Sequence, residues 1–205
     1  MVKTNSQLIS IGLIWIKLKN NRMKKYIIIV LTFFLVSNIS AQSFGLKGGA
    51  AIANFVGADS DELDAVSKTG FFLGAFMKLG EGNIEWMPEI LFHQKGAKED
   101  GGDGSFLVNY IDLGVNGLFH INDEFALSIG PYLGYLASGT FDDESINEWD
   151  EFNRIEFGSN FGAIYNINDL LHLDVRYGLA FTDMFPDASV RNSSIQIGVG
   201  YVFGY

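Results

Sequence analysis

Read at every second position, the closing stretch SIQIGVGYVFGY separates into two unlike sets. Ile195, Ile197, Val199, Tyr201, Phe203 and Tyr205 fall on one set. Ser194, Gln196, Gly198, Gly200, Val202 and Gly204 fall on the other. Successive side chains of a β-strand point to opposite faces, so this is a strand with two different surroundings. A strand half-exposed to water carries charged or hydroxyl side chains on its wet face. Here the second face has no charge and three glycines, which weaken a strand interior unless something approaches closely. The bulky face therefore meets a uniform apolar medium, and the glycine face looks into a crowded interior.

The same alternation recurs upstream, at 44–54, 70–79, 84–95, 110–121, 125–137, 155–165 and 170–181, which with 194–205 makes eight segments. Each is near the ~9–11 residues that a tilted strand needs to cross a bilayer. The connections alternate in length. FVGADSDELDAVSKT, GAKEDGGDGSFLVN, SGTFDDESINEWDEFNR and TDMFPDASVRNSS are long, whereas GEGN, NDE and NIND are short. Long outer loops and short periplasmic turns predict an all-β fold, an eight-stranded antiparallel up-and-down transmembrane β-barrel with both termini inside.

The faces can be assigned from charge. In the seventh segment Leu171, Leu173, Val175, Tyr177, Leu179 and Phe181 point to lipid. His172, Asp174, Arg176, Gly178, Ala180 and Thr182 point inward. Charge on the lipid side is costly, which fixes the choice. In the fourth, Ile111, Leu113, Val115, Phe119 and Ile121 face out and Asp112, Gly114, Asn116 and His120 face in. Pro88 removes a ladder donor from the outward set of the third, so a bulge or a weak spot is expected there. With direction set, the outward aromatics form two belts. Phe44, Trp86, Phe119, Phe125, Tyr165, Phe203 and Tyr205 sit at the turn end, and Phe71, Phe92, Tyr135, Phe157 and Phe181 at the loop end. Such girdles mark the two membrane interfaces.

Composition adds the compartment. Met23-Lys24-Lys25 precedes the apolar run YIIIVLTFFLV and then SNISAQ, the layout of a cleaved export signal over residues 23–41. The run is too short for a membrane-spanning helix. Residues 1–22 precede this second start and read as an over-extended N-terminus, leaving 42–205 as the barrel domain. The chain has no cysteine, so neither a disulfide framework nor a lipid-anchor thiol is expected. The net charge of −10 argues against nucleic acid as a partner.

An eight-stranded barrel is just wide enough for side chains to fill it. The inward charges Lys47, Lys78, Glu85, Glu89, Asp112, Glu156, Asp174 and Arg176 are expected to form one internal network that plugs the lumen, since buried charges are normally paired. A gated ion path is the alternative. His93 falls toward the outer end and His120 and His172 toward the inner end, so they cannot share one site. No serine, histidine and aspartate set follows triad logic, and neither a catalytic residue nor a metal or cofactor site is expected. A rim-site enzyme built on His93 is the remaining catalytic alternative. The outer loops are acidic, with Asp59, Asp61, Glu62 and Asp64 in one and Asp142, Asp143, Glu144, Glu148, Asp150 and Glu151 in another. Their ligand type suits Ca²⁺, but neither has the EF-hand glycine pattern, and a solvated surface is the expectation.

The phrases FGLKGGAAIANF, PEILFHQKGAK, NYIDLGVNGLFHINDEFALSIGPYLGYL, LDVRYGLAFTD and IQIGVGYVF resemble the outer membrane β-barrel family of PorT-like or porin-family proteins. Gly114 and Gly117 depart from the bulkier residues usual there. The resemblance implies residence in the cell outer membrane, insertion by the barrel-insertion machinery with Tyr205 as the terminal signal, and no catalytic motif. The expected function is non-enzymatic, structural or surface-interacting, with outer-membrane lipid and an unidentified extracellular molecule as partners. An accessory role in protein secretion is the alternative that the family permits.

Overall fold

The computed structural model describes residues 42–60, 65–99, 101, 104–142, 144–145 and 152–203. The expected N-terminal extension, the export signal and Tyr205 lie outside the described residues, as do Asp61, Glu62, Asp64, Asp143, Glu148, Asp150 and Glu151.

Eight long strands make the wall: β1 (Gln42–Val56), β2 (Ala65–Leu79), β3 (Ile84–Glu99), β4 (Ser105–His120), β5 (Phe125–Phe141), β6 (Ile155–Asn166), β7 (Leu171–Ala180) and β8 (Arg191–Val202). A two-residue strand, Glu144–Ser145, folds back on the end of β5. Each long strand pairs antiparallel with its chain neighbours, and β1 pairs with β8, so the sheet closes into an eight-stranded up-and-down barrel. Closure removes the open strand edges of a flat sheet.

The two-residue period holds around the wall. On β8, Ile195, Ile197, Val199 and Tyr201 are exposed, whereas Ser194, Gln196 and Val202 are buried. The crowding on the glycine face has a specific source. A side chain added at Gly45 would run into the Phe76 ring, at Gly198 into the Phe72 ring, and at Gly200 into His172. The missing Cβ atoms make room for three rings that reach the inside of β1 and β8.

The inner turns are short and built by asparagine. The Asn122 side-chain oxygen accepts from the N–H groups of Glu124 and Phe125, and Asn168 repeats this with Leu170 and Leu171. These are Asx-type turns, in which the side chain stands in for a backbone acceptor. In the first turn, Gly80 and Gly82 take positive φ, which glycine adopts without steric cost.

Two expectations are corrected. The connection 96–109 is not a long loop, because β3 and β4 stay paired out to Lys98↔Ser105. The segment is polar and lacks clean alternation because both of its faces lie beyond lipid. Pro88 causes no bulge, since Phe76↔Glu89 and Leu79↔Trp86 on either side of it keep one register, but the ladder to β2 lapses between them, so the weak spot is there. Irregularities lie instead between Ser67 and Phe72 and between Asn109 and Tyr110, toward the outer end.

Candidate functional site

Barrel stagger decides which inward residues meet. From Glu89 on β3 the ladder runs one way through Gly114, Tyr132 and Gly158 to Ala180 on β7. Run the other way, through Phe76, Gly45 and Val202, it arrives at Leu170. A tilted, staggered barrel therefore sets Glu89 level with the middle of β7 on the opposite wall. Arg176 occupies that middle.

Arg176 Nη1 donates to Glu89 Oε1 at 2.7 Å across the lumen. Its Nε donates to Asp174 Oδ1 at 2.9 Å, and its Nη2 also meets Asp174. Lys47 donates to Asp174 Oδ2 at 3.1 Å and pairs with Glu89. Two cations and two carboxylates thus neutralise one another with side chains 0–2% exposed. Buried charge is tolerated only with this degree of pairing.

A second cluster lies toward the outer end. Lys95 Nζ donates to Glu156 Oε1 at 2.6 Å and pairs with Asp112 Oδ2 at 3.1 Å. The same ammonium sits 4.5 Å from the Tyr110 ring centre and 4.8 Å from that of Tyr132, within cation–π range. Tyr132 donates its hydroxyl to Glu156 Oε1 at 2.8 Å, and Asn192 Nδ2 donates to Glu156 Oε2 at 2.6 Å. Asn192 on β8 also reaches the Tyr110 hydroxyl on the facing β4, at 3.4 Å. The lumen is therefore bridged from wall to wall at two levels.

The expected single network is thus divided. Lys47, Glu89, Asp174 and Arg176 form the central cluster, while Asp112 and Glu156 belong to the outer one. Lys78 and Glu85 line a polar cavity of about 640 Å³ at the inner mouth, where Glu85 Oε2 lies 3.2 Å from His120 Nε2. Lys95, His93, Tyr110, Tyr132 and Asn192 were not in the expected network. Alternation had the signal for Lys95 and His93, since both share the odd positions of Glu85 and Glu89. The histidines are separate, and His93 is not at a rim: its Nδ1 lies 3.0 Å from Asp112 and its ring is buried. His172 stacks edge-on against Phe76.

Apolar clusters pack toward both ends of the polar column. Phe76, Met87, Leu118, Ala126, Ile164 and Val202 pack at the inner end. At the outer end Phe55, Ala97, Val108, Tyr110 and Leu136 pack with Met184 and Val190, both from the last connection. Outer connections hold that cap down. Asn153 N–H donates to the Met184 carbonyl at 2.8 Å, Ser189 N–H to Asp59 Oδ2 at 2.7 Å, and Arg191 Nε to Asp183 Oδ1 at 2.8 Å. On the outside, Phe125 and Tyr165 lie 4.7 Å apart and Tyr201 and Phe203 5.2 Å apart, with Phe44, Trp86 and Phe119 exposed at the same end. At the other end Phe71 lies 5.6 Å from half-buried Phe92 and Phe157 5.9 Å from Phe181, while Tyr135 lies under Arg154.

A closed antiparallel barrel with an apolar outer wall, a polar filled interior and short turns at one end is the architecture of an outer-membrane β-barrel protein. Residues 40–186 match the family described as outer membrane protein beta-barrel domain, and the chain belongs to that family. Its place is the cell outer membrane. Among solved structures, it is similar to Neisserial surface protein A, at 16% identity and a TM-score of 0.52, covering 80% of this chain and 100% of that one. It is also similar to Ail, the attachment invasion locus protein of Yersinia pestis, solved with the heparin analogue sucrose octasulfate. There the identity is 17% and the TM-score 0.50, over 79% of this chain and 99% of the other. At these identities the likeness is one of fold. No curated protein matches the chain.

Proposed function

We propose that this protein is a plugged, non-enzymatic barrel that presents its outer connections on the cell surface and works by contact there. One observation carries the reading: the Arg176–Glu89 bond of 2.7 Å between opposite walls, at the centre of a neutral four-charge cluster. An ion moving along the axis would have to break that cluster, and the apolar clusters toward each end offer it no replacement for its hydration. The buried charges of the two clusters are partners of one another, which serves a filled core better than a reaction site. The acidic outer connections give the rim its character. Ail was crystallised with an octasulfate, but a net charge of −10 makes a sulfated ligand a poor expectation for this chain.

The test is conductance. Purified barrel reconstituted in planar bilayers should show no sustained single-channel current in ~1 M salt. Regular, stepwise openings of the unmodified protein would refute the plug and favour a gated pore.

A further inference from the structure

Besides its charge, the outer mouth carries an unusual run of phenylalanine. Phe55 and Phe106 lie 5.8 Å apart, Phe106 stacks on Phe152 at 5.9 Å, and Phe152 meets Phe185 at 5.2 Å. Phe141 continues the run 6.5 Å from Phe106 and is 56% exposed. These rings come from β1, β4, β5 and two outer connections. Phe106, Phe152 and Phe185 pack down on the buried cap with one side and remain half-exposed on the other. Phe141 follows Tyr135 of the outer belt by six positions on β5, at ~3.3 Å rise per residue, so the seam stands above the lipid. Lipid therefore does not explain it.

Asp142 and Glu144 follow Phe141 in the chain, and Asp183 and Asp187 flank Phe185. Carboxylates outnumber lysine and arginine in each of the four outer connections: Asp59, Asp61, Glu62 and Asp64 against Lys68 in the first, and Asp142, Asp143, Glu144, Glu148, Asp150 and Glu151 against Arg154 in the third. The second has Glu99, Asp100 and Asp103 against Lys98, and the fourth Asp183 and Asp187 against Arg191. An aromatic strip with an acidic surround is complementary to one kind of surface: apolar side chains flanked by lysine or arginine. The strip supplies anchors of the type that dominate interfaces, and the surround steers cations toward it and repels anionic surfaces.

We infer that the outer mouth is a docking surface for a cationic amphipathic peptide segment of an extracellular protein, held by the Phe106–Phe152–Phe185 seam and Phe141 and steered by the neighbouring carboxylates Asp142, Glu144, Asp183 and Asp187. This deepens the contact role proposed above and rests on it.

The test uses the mature barrel in nanodiscs of zwitterionic phosphatidylcholine, with empty discs as reference. Three fluorescent synthetic peptides of equal length serve as probes: lysine/leucine, glutamate/leucine and lysine/serine. The lysine/leucine peptide should bind the barrel discs above the empty ones. That binding should weaken from ~50 mM to ~150 mM salt, as screening shortens the reach of the acidic surround. Phe141→Ser with Phe152→Ser should weaken it by roughly tenfold or more, the loss typical of aromatic anchors. Asp142→Asn with Glu144→Gln, both exposed, should weaken it and flatten the salt dependence. Heat-modifiable gel mobility verifies that each variant is folded. Equal binding of the glutamate/leucine or lysine/serine peptide, or an unchanged affinity in both folded variants, overturns the inference. Conductance of the same purified proteins in planar bilayers separates the two readings. Current with intact peptide binding defeats only the plug, and silence without peptide binding defeats only the docking surface.

Discussion

Glu89→Gln tests the plug at its centre. The change keeps the shape of the side chain but removes one of two carboxylates shared by Arg176 and Lys47, leaving two cations and Asp174. At ~4 Å and an effective dielectric of about 20, each lost attraction is on the order of 4 kcal/mol before desolvation is subtracted. Measured losses for breaking one side of a buried pair are ~3–5 kcal/mol, and the 0–2% exposure of these side chains puts this site in that class. Arg176→Met strands the two carboxylates on Lys47 and should cost a similar amount. The double variant keeps only Lys47 and Asp174, already 3.1 Å apart and mutually neutral. Its cost should fall below the sum of the single costs by ~1–3 kcal/mol. The assay is equilibrium urea unfolding in phospholipid vesicles, followed by tryptophan fluorescence, for the four members of the cycle. Additivity to within about 0.5 kcal/mol would refute a direct Glu89–Arg176 coupling, whatever the separate losses.

Other outcomes follow from the same geometry. Lys95→Met strands Asp112 and Glu156 beside two tyrosines and should destabilise by ~3–5 kcal/mol in the same unfolding assay, with Lys95→Arg losing less. Val115→Arg places a cation mid-wall in lipid and should cost about 2–4 kcal/mol, against about zero to 1 for the same change at Ile121 by the turn, both read from unfolding midpoints. Gly49→Ala drives a methyl into the Ile197 carbonyl of β8 and should lose ~1–3 kcal/mol or slow barrel assembly, visible as delayed heat-modifiable mobility. Protease added to intact cells should cut at 57–60 or 61–64 and at 142–151, and should spare the inner turns 80–83 and 167–170.

Much of the molecule was decided by local chemistry. A strand has a period of two, and lipid tolerates no charge, so Asp174 and Arg176 on one set and Val175 and Tyr177 on the other determine the face of β7 without any knowledge of its neighbours. Short NDE and NIND against long acidic connections determine strand direction for the same reason, because only one end of the barrel needs tight turns. The alternation stops being informative where the surroundings become alike. Between Gly96 and Asn109 both faces lie beyond lipid, the pattern blurs, and the continuation of β3 and β4 is decided by pairing with each other. Partner choice was likewise out of reach. Parity puts Glu89 and Arg176 inside, but only the stagger of the closed sheet sets them at one level on opposite walls. The same stagger divides eight charges into three groups and gives Lys95 to Asp112 and Glu156. Met184 and Val190 lie in a connection with no period at all. Their place in the outer cap depends on where Asp59, Asn153 and Arg191 are held, contacts between segments distant in the chain that only the folded barrel brings together.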